Sequence, residues 1–281
     1  WVPRRAVSLQ GEGRMHGTNL GLAHSLESVE WQVEPEPCWS VQTDEIRRVY
    51  DPRITIVEER SYLCFAVDTH HGIRGGIAHT PDFQHFDIMS MSAPDNRNMV
   101  LFPDKHNGKF ARLERPFPMY MRPGQQFDIW YSESQDGVHW GNTRLVLGSE
   151  QVPWCNAKIG PGAPPIRTSE GWLTFFHAVQ RHEDRELPAW HSGWRKEYMA
   201  GLMLLDLEEP WRVKAMAPGP VLRAEEDYEL EGYRGSVIFP TGAVLEDSGE
   251  VKVYYGAADT VMALASAYVD DLLALCEEVT M

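Results

Sequence analysis

Seven side chains in this 281-residue sequence could gather around a bound anion. The stretch "NAKIGPGAPPIRTSEGWLTFFHA" (156–178) puts Lys158 and His177 at the two ends of what reads as one β-hairpin, with Gly160 and Gly162 between them. A purely structural hairpin needs none of these four. "DNRNMVLFP" (95–103) and "LERP" (113–116) add Arg97 and Arg115, "YDPR" (50–53) adds Asp51 and Arg53, and "YYGAADT" (254–260) adds Asp259. Guanidinium forks and a lysine ammonium suit a bound phosphate. Asp51 is the one obvious acid among them. The residue types imply a bound anion with one acid beside it.

Each residue also has a plainer reading. Asp51 before Pro52 is a common turn opener. Arg97, Arg115 and Lys158 taken singly read as solvated charges, and His177 between Phe176 and Ala178 as a satisfied core histidine. The joint pattern shifts the weight, because the five sit at equivalent ends of repeating elements. Trp190 and Trp194, in the polar stretch "RHEDRELPAWHSGWRKEY", either stack on a ligand or pack on protein. The His70–His71 pair lacks a third ligand at metal spacing and reads as loop residues on the acceptor side of a site.

The elements that must position these residues repeat. "GLAHSLESVEW" (21–31), "GIAHTPDFQHF" (76–86), "WYSESQDGVHW" (130–140), "GLMLLDLEEPW" (201–211) and, more loosely, "LASAYVDDLLA" (264–274) each read as an apolar strand followed by a polar turn. In the first four an aromatic closes the unit ten positions after its start, so that Trp31, Trp140 and Trp211 read as packing residues. Between the copies lie hairpin signals, the strongest being the Asn-Gly turn of "MVLFPDKHNGKFARLER" (99–115). Hairpin plus following strand, with one more strand available per unit, gives a four-stranded blade. Five copies predict an all-β, five-bladed β-propeller occupying residues 1–281 as one domain, its first blade lacking the leading strand that would pair with "VPRRAVSLQ". The only helical signals are short, such as 270–278.

Composition narrows the partners. A formal net charge of -15 makes nucleic acid a poor ligand. No apolar run reaches the roughly 18 residues of a membrane helix, so no membrane partner is expected. Cys38, Cys64, Cys155 and Cys276 are scattered without a CxxC pair. They read as buried free thiols in a reducing compartment, hence a cytoplasmic protein, with no metal site.

"YDPRIT", "MVLFPDKHNGKFARLERP", "KIGPGAPPI", "GWLTFFHA", "LLDLEEP" and "VIFPTGAVLEDSGEVKVYYGAADT" run over nearly the whole chain. Together they closely resemble glycoside hydrolase family 130, the inverting β-mannoside phosphorylases and related mannosidases. The resemblance implies a five-bladed propeller and a single catalytic acid, Asp51, that relays its proton through a sugar hydroxyl. It also implies a phosphate site built from Arg97, Arg115, Lys158 and His177. Arg5, Tyr50 and Asp259 fall among the sugar contacts it implies. A family Asn that also contacts the sugar would fall before Trp1. No cofactor is implied beyond inorganic phosphate as co-substrate. The partners are then a small carbohydrate and phosphate, with a homo-oligomer left open by the family's habit of forming them. The hydrolytic members lack the cationic set, so its presence favours phosphorolysis. Hydrolysis by water and a non-catalytic sugar-binding propeller stand as the alternatives.

Overall fold

In the computed structural model of the protein, residues 2–7, 15–26, 30–41, 43–117 and 127–278 are described, with the backbone alone for 2–7 and 15–17. Among them the strands pair into five antiparallel sheets. The first holds β1 (Val2–Val7), β2 (Met15–His24) and β3 (Gln32–Trp39). The second holds β4 (Ile46–Val57), β5 (Arg60–Thr69), β6 (Gly72–Thr80) and β7 (Asp87–Met91). The third holds β8 (Asn96–Leu101), β9 (Phe110–Pro116), β10 (Ile129–Ser134) and β11 (Gly141–Leu147). The fourth is built from β12 (Lys158–Pro161), β13 (Ile166–Arg167), β14 (Trp172–Arg181), β15 (Lys196–Leu205) and β16 (Val213–Met216). The fifth holds β17 (Ile238–Leu245), β18 (Glu250–Ala257) and β19 (Val261–Tyr268). The short strand β20 (Glu277–Glu278) returns to extend the fourth sheet beside β16.

The arrangement is all-β and propeller-like. Strands β4, β8, β12 and β17 are the innermost of their sheets: β4 touches β8 and β17, and β8 touches β12. Apolar clusters fill the gaps between neighbouring sheets. Val100, Leu113 and Tyr131 of the third sheet meet Ile159, Phe176 and Met203 of the fourth. Leu173 and Leu202 of the fourth meet Val251 and Val253 of the fifth. Because β14 and β15 are covered on both faces, they read in sequence as continuous apolar runs rather than as alternations.

The blade count expected from the repeat is met only in part. Four repeat copies lie on the third strand of their sheets, counted from the innermost, β6, β10, β15 and β19, and the other lies on β2, the middle strand of the first sheet. Among the described residues an inner strand is present in four sheets, and the first sheet packs on β4 mainly through β2. Nor does every sheet have four strands: the first and fifth have three. The repeated turn has a local cause. In the second and third sheets an Asp carboxylate accepts from two backbone N–H groups and from a His ring: Asp82 with Gln84, His85 and the His85 ring, Asp136 with Val138, His139 and the His139 ring. Asp206 caps the fourth sheet's turn in the same way through Glu208 and Glu209. The Asn-Gly signal is likewise met by a tight turn, with Asn107 and Gly108 at positive φ and His106 and Lys109 exchanging both backbone bonds. Helices are single turns, Asp227–Leu230 (α1) and Val269–Ala274 (α2), the latter ending short of the stretch read as helical to 278. Among the described residues no helix is long and apolar enough to cross a membrane.

Phe176 tests this account of the core. It is fully buried, stacks on Trp154 at 6.0 Å and lies opposite Gly201. Phe176→Ala should cost about 3–5 kcal/mol, read as a lower urea midpoint with an unchanged slope.

Candidate active site

Two register slips aim the central side chains. Between Tyr50 and Arg53 strand β4 advances three residues while β5 advances two, and between Arg97 and Val100 strand β8 does the same against β9. Each is a one-residue bulge, and each bulge places one residue in the left-handed region: Asp51 at φ 54° and Asn98 at φ 56°. Asp and Asn tolerate that conformation better than other side chains do. The two bulges face each other, and Asn98 Nδ2 donates to Asp51 Oδ2 at 3.4 Å.

Asp51 lies in a cleft of about 270 Å³ together with Tyr50, Arg97 and Asp259. Tyr50 donates its hydroxyl to Asp68 at 2.6 Å, and Arg48, opposite Asp68 in the β4–β5 register, forms an ion pair with the same carboxylate. Asp259, at φ 55°, pairs with Arg234 at 3.8 Å. Trp194 and Tyr198 complete the wall, stacked at 6.1 Å, with the Trp194 indole N–H held by Gly235 O at 2.8 Å. Trp190 lies away from the cleft, 65% exposed, its ring edge-on to Tyr233. His70, also outside the cleft, bonds with Arg47 at 2.8 Å. Arg5 falls where side chains are not described; its backbone pairs with Thr18, which lines the cleft.

The cations collect beside Asp51. Arg97 lies directly opposite Arg115 across β8 and β9, a like-charge pair that costs stability on its own. Arg115 Nη1 approaches His177 Nε2 at 3.4 Å, and His177 is wedged between Phe239 at 4.7 Å and Tyr198 at 6.1 Å. Lys158 Nζ sits 5.1 Å over the Tyr198 ring. Arg115 and His177 are fully buried, and Arg115 Nε and Nη2, Arg97 Nε and His177 Nδ1 have no hydrogen-bond partner. Arg53, also fully buried, serves structure in part: its Nε donates to Gly162 O at 2.7 Å and its guanidinium lies 5.2 Å from the Phe239 ring, while its Nη2 has no partner.

Burial among like charges sets the protonation. Desolvation, then Arg115 and Arg97, drive the Lys158 pKa down to about 6. Desolvation and Arg97 bring Arg115 down to about 9. His177 is held well below its ordinary value by burial, Arg115 and Lys158. Arg97 goes the other way: burial works against its charge, but the carboxylate of Asp51, with Tyr50 and Tyr198, raises its pKa. Near neutral pH the charge is thus suppressed on Lys158 and His177, while Arg97 and Arg115 keep theirs.

Gly160 and Gly162 make room rather than turn the chain. A Cβ on Gly160 would stand 2.5 Å from His177 Cε1 and 3.2 Å from Arg115 Cδ, and one on Gly162 would stand 2.8 Å from Phe175 O. The reading of Asp51 as the one carboxylate also needs correcting, because Asp68 and Asp259 share its cleft. Sequence reasoning missed Asn98, Arg48, Asp68 and Arg234. Asn98 was reachable by superposing "YDPR" on "RNMV" as equivalent inner strands; nothing local marks the other three. Of the four cysteines only Cys64 is fully buried, and all four are free thiols.

Residues 9–278 match the model of glycoside hydrolase family 130, described as β-1,4-mannooligosaccharide phosphorylase. The chain is 33% identical over 273 residues to a β-1,4-mannooligosaccharide phosphorylase of Ruminococcus albus, covering 93% of this chain and 77% of that protein. It is 30% identical over 226 residues to a β-1,2-mannobiose phosphorylase of Listeria innocua, covering 80% of this chain and 59% of that one. The solved complex of a Listeria innocua β-1,2-mannobiose phosphorylase with β-1,2-mannobiose superposes with a TM-score of 0.81 at 27% identity, covering 95% of this chain and 72% of the other. The chain belongs to glycoside hydrolase family 130.

The suppressed charge on Lys158 has a measurable sign. Between its value in the empty site, about 6, and its ordinary value, binding of a dianion must recharge the amine and take up a proton. Sulfate does not titrate in this range, so its affinity should fall as pH rises from 6 to 9, by up to about tenfold per unit. Arg115, losing charge near 9, steepens the upper end. Lys158→Met should flatten the profile below pH 9. Calorimetry of sulfate binding in buffers of different ionisation enthalpy reads the proton uptake directly, and zero uptake at pH 7.5 would remove this assignment. Gly160→Ala should displace His177 and weaken the same binding while the melting transition stays cooperative.

Proposed function

We propose that the protein is an inverting mannoside phosphorylase, which cleaves a β-mannoside with inorganic phosphate to give α-mannose 1-phosphate and a shortened acceptor. The observation that carries this is the row of buried, unpartnered N–H donors on Arg97, Arg115 and His177 next to the carboxylate cleft. A buried cation without a counter-ion is costly, and an anion that accepts from several such donors relieves that cost. Phosphate, with its oxygens spread tetrahedrally, suits donors arriving from β8, β9, β12 and β14. The same reading makes the chain one five-bladed domain in which β1–β3 stands as the first blade. It also places the enzyme in a reducing, cytoplasmic compartment, which its free thiols suit. No cofactor is needed, since phosphate is the only co-substrate.

In this mechanism Arg97, Arg115, Lys158 and His177 hold phosphate on one face of the mannose ring, a positioning effect. Asp259, Tyr50 and Arg5 contact the sugar. A phosphate oxygen forms the new bond to C1 as the bond from C1 to the acceptor oxygen breaks. That oxygen takes its proton from Asp51, relayed through a mannose hydroxyl, and the proton carried by hydrogen phosphate restores Asp51. Asn98, donating to Asp51, holds the carboxyl in place. An inverting hydrolase would need a second carboxylate to activate water. Asp68 and Asp259 are in the cleft, which keeps hydrolysis as the second reading, but each is engaged by an arginine.

Activity should therefore require phosphate: β-mannobiose incubated with and without it separates the two reactions, and mannose release at equal rate in phosphate-free buffer would establish the hydrolase. Asp51→Asn should lower kcat by roughly 10²–10⁴-fold, with a smaller loss for a nitrophenyl mannoside, whose leaving group needs less protonation. Arg115→Ala should raise the KM for phosphate far more than the KM for the mannoside; equal increases in both would argue against the phosphate assignment.

A further inference from the structure

A second cavity, of about 340 Å³, lies between β7 with the connector leading from it to β8 and the face of β9, β10 and β11. Its interior carries a buried ion pair, Arg112 Nη2 to Glu114 Oε2 at 2.8 Å, with both residues 5% exposed. Arg112 is already satisfied on two further sides: its Nε donates to Ser132 Oγ at 2.9 Å and its guanidinium lies 4.1 Å from the Trp140 ring. Asn96 Nδ2 donates to the same Glu114 oxygen at 2.7 Å, while the Asn96 carbonyl oxygen is buried with no partner. Hydroxyls of Ser90 and Thr143 and the apolar surfaces of Met91 and Pro116 complete the wall.

We propose that this cavity is a second saccharide-binding site, which takes a neutral pyranose unit. The chemistry selects the class. The charges inside cancel in a close pair, so an anionic or cationic ligand gains nothing without breaking it. An apolar ligand would leave the buried Asn96 side-chain oxygen unpaired. A ring that carries hydroxyls on its rim and C–H groups on its faces supplies the missing donor and covers Met91 and Pro116. The volume lies at the small end of the roughly 300–1,000 Å³ range of ligand pockets. The cavity also shares a wall with the catalytic cleft. Asp95, on its rim, accepts from the N–H of Ile73, which lines the cleft, and Asn96 directly precedes Arg97. A longer mannan strand could thus be held beside the unit being cleaved. The choice of mannose as the pyranose rests on the phosphorylase reading given above.

The test is calorimetric titration of the full chain with mannotriose, supported by crystals soaked in mannose. Thr143→Trp and Ala93→Trp both fill the cavity from exposed positions outside the catalytic machinery. The wild type should bind at two sites. Either filled variant should lose the second, weakening it by about tenfold or more, with kcat on mannobiose unchanged. Asp259→Ala should lose the cleft site and keep the second. A single site that Asp259→Ala removes and both tryptophan variants leave intact overturns this proposal alone. Absence of sugar from both cavities overturns it together with the phosphorylase reading.

Discussion

The structure is organised around positive charge buried at its hub without carboxylates to match. Arg97 and Arg115 face each other across one ladder, and His177 and Lys158 arrive from the next sheet. In a solvated surface such a group would cost little, because water screens it. Here the surrounding sheets exclude water, and the strain shows as lysine, arginine and histidine protons held loosely. Aromatic rings moderate the repulsion: Tyr198 lies under Lys158, and Phe239 lies against both Arg53 and His177. A chain folded only for stability would not keep this arrangement.

Everything near the hub is arranged to allow it. Gly160 leaves the space that the His177 ring occupies, and Gly162 lets β14 approach while offering its carbonyl to Arg53. Arg53 thereby ties β4 to the loop after β12 through its Nε. Asp51 is the counterweight. It favours the charged form of Arg97 but stands on the cleft side, leaving the donors of Arg115 and His177 unpaired.

Repetition of the fold supplies equivalent positions, and the site depends on filling them unequally. The bulges of β4 and β8 are the same backbone event in adjacent sheets, yet one presents a carboxyl and the other an amide. An amide can donate to a carboxylate where a second carboxylate would repel it and raise its pKa. The same economy explains the connector between β7 and β8: Asn96 faces the second cavity and Arg97 the cleft, since successive strand residues point to opposite sides.

Sequence by itself determined the strand content, the turns and the residue types of the site. Apolar strands and polar turns marked the repeat, Asn107–Gly108 marked the strongest hairpin, and Arg97, Arg115, Lys158 and His177 stood out as cations in short motifs. These are local signals, readable because turn geometry and strand periodicity act over a few residues. Tertiary structure decided the rest. The repeat counted one strand per sheet, and so could not show that among the described residues β1–β3 brings no inner strand to the axis. Asp68 and Arg234 enter the cleft through contacts 18 and 25 residues along the chain. The glycines are needed for the close approach of His177 and of Phe175 O, and not for any conformation of their own. Above all, the sequence listed the cations but not their burial. Whether Arg97, Arg115, Lys158 and His177 are solvated charges or a buried cluster depends on how much water the packed sheets exclude, a property of the assembled fold and not of any segment.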